Sequence, residues 1–286
     1  MYDSYNAESM SGQVAAYFDL DGTLLDSSSE KTLTVHLAKK RPWRIPVGTV
    51  MWTLGLVGNL LRGRSLYDAA RNRGHFSLAS WKVLEDYSTP IAENQLKQKI
   101  PQEAWDCLTW HRNQGHRLVL VTATIAPMAE AMAAVLGMDA VYGCGPESRN
   151  GMMSGSEIGW SVPRRKGKVP IVQQDADKNG HDLSQCFGYG NTMADTWFMR
   201  ITGNPIAVNP GAKMTKMATE QGWQIKSWKE NQKYFLNFLE HNGLSKLYAT
   251  GSYYYLLFKI FNFKDLNFSL SLTYLIFYAY NLIYDT

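Results

Sequence analysis

The sequence predicts an α/β fold, a doubly wound parallel sheet carrying an inserted all-helical domain. Three observations predict it. Apolar runs such as Val14-Ala-Ala-Tyr-Phe18 and Leu118-Val-Leu-Val121 are continuous rather than alternating, which suits strands buried on both faces of a parallel sheet. From residue 117 onward such runs take turns with helical patterns, the mark of repeated strand–helix–strand units. Residues 27–104 show helical spacing with no alternating strand signal, so this stretch reads as a helical insertion. The chain accordingly divides into an extension (1–12), an α/β core (13–26 and 105–230), a helical cap (27–104) and an aromatic, apolar tail (231–286).

The first strand, 14–18, runs into Asp19-Leu-Asp-Gly-Thr23, an acidic turn in which Gly22 permits a sharp bend. Ser27-Ser-Ser-Glu30 is a helix start, with serine caps and an acid in the first turn. Pro42 and Pro46 interrupt the helical pattern. Residues 47–61 are uncharged, flanked by Lys39-Lys-Arg41 and Arg44 on one side and by Arg62 and Arg64 on the other. The run is too short and glycine-rich to span a bilayer. It reads first as a buried helix of the cap and second as a surface meeting anionic headgroups. Residues 66–89 form two helical pieces broken near Gly74, and Pro90 and Pro101 bracket another. Ala104, Trp105, Leu108 and His111 share one helical face that ends at Gly115. Residues 117–122 are a strand ending in Thr-Ala-Thr, and a helix from Pro127 stops at Gly137. A short strand at 140–143 precedes a hairpin turn at Asn150-Gly151. A helix follows Pro163-Arg-Arg-Lys-Gly-Lys168, and strands are expected at 185–190, 205–209 and about 223.

Composition narrows the function. The 286 residues are 45% hydrophobic and 19% charged, with a net charge of +4. This suits a globular protein and is too weakly basic for nucleic acid. Three dispersed cysteines, Cys107, Cys144 and Cys186, offer neither zinc spacing nor a disulfide framework and read as small buried hydrophobes. The N-terminus shows no secretory progression, which points to the cytoplasm. In the tail, 19 uncharged residues lie between Asp265 and Asp285. They border on a membrane span, are diluted by Asn, Ser and Thr, and leave membrane association through the tail open.

Four motifs carry the chemistry. The string apolar-Asp19-Leu-Asp21-Gly22-Thr23 resembles the first motif of the haloacid-dehalogenase superfamily of phosphatases. Thr122, ending an apolar strand, matches the second motif. Lys168 fits the spacing of the third best, with Lys166 as the near alternative. Gly190-Asn191-Thr-Met-Ala-Asp195 matches the acidic fourth motif imperfectly. The resemblance implies a Mg²⁺-dependent phosphate monoester hydrolase. Asp19 would be the nucleophile that becomes an aspartyl phosphate, and Asp21 the general acid and base. The Asp19 carboxylate, the Asp21 backbone carbonyl and Asn191 would hold the metal. Thr122 and turn amides about Ala123 would hold phosphoryl oxygens, Lys168 would pair with Asp19 and the phosphate, and Asp195 would orient the lysine. Asn191 departs from the family's usual Asp. It keeps an oxygen donor and loses a negative charge, so a weakened, phospho-ligand-binding relative stands as an alternative.

A helical cap between the first and second motifs resembles the phosphoserine-phosphatase-like subclass, IB. Arg71, in Arg71-Asn-Arg73, falls where that enzyme has a substrate-binding arginine. Its gripping glutamate, nine residues past the nucleophile, is here Ser28, with Glu30 two further on. That difference argues against phosphoserine. The uncharged stretch 47–61 is similar to the apolar cap of phosphatidylglycerophosphate phosphatases. The expected partner is therefore a small-molecule phosphate monoester. A phospholipid phosphate at a membrane surface, phosphatidylglycerophosphate- or lysophosphatidate-like, is the alternative.

Overall fold

A computed structural model describes residues 14–228. The expectations for the extension 1–12 and the tail 231–286 lie outside the described residues. Six strands form one parallel sheet: β1 (Ala15–Phe18), β2 (Arg117–Ile125), β3 (Ala140–Cys144), β4 (Phe187–Gly190), β5 (Asn204–Val208) and β6 (Gln224–Lys226). Their order is β3-β2-β1-β4-β5-β6, and every pairing is parallel. From β1 the sheet grows through β2 and β3 on one side and through β4 to β6 on the other. The winding reverses between β1 and β4, which opens a crevice at their carboxyl ends where ligands bind in such sheets.

The helices are α1 (Ser29–Lys40), α2 (Arg44–Leu61), α3 (Leu66–Ala70), α4 (Trp81–Ile91), α5 (Gln102–Asn113), α6 (Ala126–Leu136), α7 (Lys168–Asn179), α8 (Thr196–Met199) and α9 (Ala212–Glu220). Strand periodicity assigns the sheet two cores. Ala16, Phe18, Leu118 and Leu120 pack with Leu33 and Leu37 of α1, Leu84 and Ile91 of α4, Leu108 of α5, and Met128 and Met132 of α6. Ala15, Tyr17, Val119 and Val121 pack with Val172 of α7, Phe198 of α8 and Met214 of α9. All of β1 is fully buried, as its uninterrupted apolar run requires.

Several expectations change. Among the described residues, 14–52 and 73–228 form one compact unit, and 53–72 belong to a second. Of the stretch 27–104, α1 and α4 lie in the first unit. The reason is packing: leucines of α1 and α4 share a core with β1, β2 and α6. Pro90 lies inside α4 rather than ending it. The hairpin expected about Asn150-Gly151 has no regular strands. A single antiparallel bridge between Gly145 and Ser161 closes that loop, and Met152 bridges to Ser80 instead. The uncharged run 47–61 is helical, as α2, but among the residues of α2 only Arg44 and Gly48 are buried. Cys107, Cys144 and Cys186 are buried and free.

Candidate active site

The turn after β1 places two carboxylates at the crevice. Asp19 N–H still donates to the Tyr189 carbonyl of β4 at 3.0 Å, and the chain then coils tightly, with Thr23 N–H and Leu25 N–H both donating to Leu20 O. Gly22 sits at φ +80, and a Cβ there would lie 2.0 Å from Asn191 Nδ2. Only glycine combines that backbone with that approach, so Gly22 is what lets the Asn191 side chain reach the Asp19–Asp21 turn.

Asp19 is 8% exposed. Its Oδ1 accepts from Lys168 Nζ at 2.6 Å, and its Oδ2 accepts from the Thr23 hydroxyl at 3.4 Å. Lys168, first residue of α7, also donates to Asp195 Oδ1 at 2.7 Å. Asp195 in turn accepts from Thr192 N–H at 3.0 Å and from its hydroxyl at 2.7 Å. Burial pushes the Asp19 carboxyl up to about 7, against the pull of the Lys168 cation, with Asp195 adding to the rise. Burial works to lower Lys168, but Asp19 and Asp195 more than reverse it, so its pKa is raised. Both partners thus shift upward. Two carboxylates face one ammonium, so the proton stays on the lysine.

Asp21 is held differently. Its Oδ1 accepts from Ser29 N–H at 3.0 Å and its Oδ2 from the Thr124 hydroxyl at 3.4 Å. Burial raises its pKa to about 6, opposed by the bonds from Ser29, raised further by Glu30 and lowered by Thr124. The Thr122 hydroxyl is spent on Thr124: it donates to Thr124 Oγ1 and accepts from Thr124 N–H, each at 3.1 Å. The structure therefore brings Asp19, Asp21, Lys168, Asn191, Asp195 and Thr122 to one edge of the sheet. Lys166 points elsewhere, its ammonium 4.6 Å from the ring centre of Trp197. Lys168 is thus the lysine at the carboxylates.

Three residues near the site were not singled out from sequence. Ser29 and Thr124 anchor Asp21, with their hydroxyls 3.1 Å apart. Arg73 is buried. It pairs with Glu30 at 2.9 Å, with Glu157, and with the Ala123 carbonyl. Glu30 also accepts from Ile125 N–H at 3.0 Å. Burial works to raise Glu30, but Arg73 and His75 hold it below the usual carboxylate range. Arg71 falls in the second unit, where its guanidinium stacks 4.0 Å over Tyr67; the arginine at the site is Arg73. Ser28 is the cap of α1, and the carboxylate that reaches the site from that helix is Glu30.

Asn191 Oδ1 is buried and has no hydrogen-bond partner. An orphaned amide oxygen beside two carboxylates is an all-oxygen donor set, which fits a hard divalent cation such as Mg²⁺.

Comparison with known proteins gives the family and the fold. The family model described as haloacid dehalogenase-like hydrolase matches residues 16–200. A phosphoserine phosphatase of Mycobacterium tuberculosis is 26% identical over 221 residues, 75% of this chain and 71% of that protein. A Bordetella pertussis protein of unknown function superposes with a TM-score of 0.64 at 24% identity, covering 76% of this chain and 99% of that one. A probable phosphoserine phosphatase of Vibrio cholerae does so with a TM-score of 0.52 at 14% identity, covering 85% and 69%. These two structures share the fold.

Proposed function

The chain belongs to the haloacid dehalogenase-like hydrolases, and on that premise we propose that it is a phosphatase that cleaves phosphate monoesters through an aspartyl phosphate on Asp19. The observation that carries the reading is the buried Asp19 carboxylate, 2.6 Å from the Lys168 ammonium, at the sheet's point of reversal and two residues from a second, differently held carboxylate.

A phosphate monoester is slow to hydrolyse, and a covalent intermediate splits its cleavage into two easier steps. Asp19 attacks phosphorus while Asp21 gives its proton to the leaving alkoxide oxygen. Asp21 then takes a proton from the water that attacks the aspartyl phosphate, which returns both carboxylates to their starting states. A pKa of about 6 suits a group that must first give and then take a proton near neutrality. Lys168, fixed between Asp19 and Asp195, offsets the negative charge that gathers as the nucleophile meets the phosphate. Thr122 holds a phosphoryl oxygen by turning its hydroxyl away from Thr124. Asp19, the Asp21 carbonyl and Asn191 Oδ1 would hold Mg²⁺, which supplies positive charge to the phosphoryl oxygens when bound.

The substrate class is a small phosphate monoester. The Mycobacterium relative's name brings phosphoserine into consideration, and the Glu30–Arg73 pair supplies the carboxylate that Ser28 does not. The test is a panel of phosphate esters with Mg²⁺ that includes phosphoserine, lysophosphatidate and phosphatidylglycerophosphate. Turnover should be abolished by Asp19→Asn and by chelator. Binding of phosphorylated ligands without turnover, unchanged by Asn191→Asp, would instead establish a non-catalytic relative. Lipid esters stay on the panel for one observation, the outward apolar side chains of α2. Among the described residues no helix is long and apolar enough to cross a membrane.

A further inference from the structure

Arg73 is the cation on the leaving-group side of the site, and its donors are already taken. Asp21, which gives the proton to the leaving oxygen, accepts from Ser29 N–H at 3.0 Å and from the Thr124 hydroxyl at 3.4 Å. Glu30 follows Ser29, and it accepts at 3.0 Å from the N–H of Ile125, the residue after Thr124. The two anchors of Asp21 thus lead to Glu30 and, through it, to Arg73. A guanidinium carries five N–H groups in a fixed fork. Here Nε donates to Glu30 at 3.3 Å and Nη2 to the same carboxylate at 2.9 Å. Nη1 donates to Cys144 Sγ at 3.1 Å and to Glu157, and Nη2 also donates to the Ala123 carbonyl. All five N–H groups of Arg73 therefore have acceptors from the protein itself.

Glu157 is built into this position. Its loop is tied to the segment after Arg73 by backbone bonds: Arg73 N–H donates to the Gly155 carbonyl at 3.2 Å, Leu78 N–H to Met153 O at 3.0 Å and Met153 N–H to Ala79 O at 2.7 Å. Gly155 sits at φ +77, and a Cβ there would lie 2.7 Å from Gly74 Cα, so the approach needs glycine. Arg164 grips the same carboxylate, Nη2 on Oε1 at 3.0 Å and Nη1 on Oε2 at 3.4 Å. Two guanidiniums and two carboxylates balance, with the Arg73 and Glu157 side chains only 3% and 5% exposed. A further anion brought to Arg73 would shed its water, meet no open N–H and face Glu30 and Glu157. The most open of the four is Glu30, at 17%, an acceptor suited to a hydroxyl or an ammonium.

We propose that Glu157 determines specificity: it occupies Arg73 as an internal carboxylate, so the site takes phosphate esters of neutral or amino alcohols and rejects those whose leaving group carries a carboxylate. Discrimination comes from an unpaired, desolvated anion in the wrong substrate, not from extra contacts to the right one. Glu157 has this role within the phosphatase reading of the site, and ligand binding separates the two.

O-Phosphoethanolamine and O-phosphoserine differ only by a carboxylate on the leaving group, so the pair isolates that charge. The experiment compares kcat/KM for the two with the full-length protein and Mg²⁺ at neutral pH. It also compares their Kd by calorimetry on Asp19→Asn, which lacks the nucleophile. Wild type should favour phosphoethanolamine by ~10-fold or more, the cost of a charged group left without partners. Glu157→Gln keeps the shape of the side chain but leaves Arg73 with one anion, Glu30, and should shift the ratio toward phosphoserine by ~10-fold or more. Glu157→Gln/Arg164→Gln, which removes one charge of each sign, should shift it the same way and serves where the single variant does not fold. Phosphoserine bound or turned over by wild type as well as phosphoethanolamine would overturn the proposal. So would a ratio that the folded variants leave unchanged. Failure of wild type to hydrolyse any ester would count against the phosphatase reading alone, and the Kd ratio on Asp19→Asn would still decide the role of Glu157.

Discussion

Removing the ammonium of Lys168 is the most direct perturbation of the site. In the folded protein it stands 2.6 Å from Asp19 and 2.7 Å from Asp195, and Lys168→Met leaves those two carboxylates facing each other without a cation. An incoming phosphate adds further negative charge. At an effective dielectric near 20, a cation and an anion about 4 Å apart attract by ~4 kcal/mol. Each ~1.4 kcal/mol is a factor of ten in rate, so kcat/KM should fall by ~10³. The apo fold should also lose stability, by up to ~3–5 kcal/mol if both carboxylates stay charged, and by less as one takes up a proton. The assay is hydrolysis of p-nitrophenyl phosphate with Mg²⁺ at neutral pH, with circular dichroism to show that the variant is folded. Lys166→Met is the control; its ammonium faces Trp197, and its rate should stay within ~3-fold of wild type, since an exposed cation–π contact is weak. A folded Lys168→Met enzyme within tenfold of wild type would refute the assignment, as would a larger loss in Lys166→Met.

Other consequences can be measured. Asn191→Ala should raise the Mg²⁺ concentration for half-maximal rate by ~10-fold or more and Asn191→Asp should lower it, as read by activity titration and by calorimetric Mg²⁺ binding. Gly22→Ala places a methyl at φ +80, 2.0 Å from Asn191 Nδ2; it should cost ~1–3 kcal/mol in stability and displace Asn191, with the activity loss accompanied by the same weakened Mg²⁺ binding. His111 is buried, and burial together with His116 and Lys226 lowers its pKa to about 3. The unfolded chain therefore binds a proton that the native state refuses between about pH 6.5 and 3. The stability it contributes is fully present above about pH 6.5 and is lost as pH falls; at pH 4.5 the loss from this residue is ~2–3 kcal/mol. Urea melts across that range should show the slope, and His111→Phe should flatten it.

What could be read from the sequence were features set by neighbours along the chain. β1 and β2 announce themselves because a strand covered on both sides is apolar, and the runs Ala15–Phe18 and Leu118–Val121 are fully buried. Gly137 ends α6 at φ +64, as a left-handed cap requires of a residue without Cβ. Asp19, Asp21 and Asn191 were legible because each lies in the turn after a strand, and parallel strands carry their ends to a single edge; Thr122 was expected to end its strand, but β2 runs on to Ile125. Helix α2 defeated the same reasoning. Burial of its apolar run was expected, yet Val50, Leu54, Val57 and Leu61 are exposed while Met51, Trp52 and Leu56 are half-buried, and the closest approach is made by Gly48 to the backbone of His75.

Arg71 and Arg73 show where local reading runs out. They are two residues apart in a stretch where α3 has ended at Ala70 and no repeat has replaced it. Within a helix, spacing would decide which side chain turned inward. Across an irregular turn the direction is fixed by whatever the backbone meets next. Arg73 N–H donates to the Gly155 carbonyl at 3.2 Å, and its guanidinium is taken by Glu30 and Glu157, 43 and 84 residues away. Neither acid lies at a spacing that marks it as a partner, and Glu157 sits in a loop with little regular structure. A buried arginine flanked by two carboxylates is costly unless all are satisfied together. The pairing is therefore a property of the folded site, formed when the loop 145–161 closes over the segment 73–81, and it leaves no trace in the sequence beyond the presence of the charges.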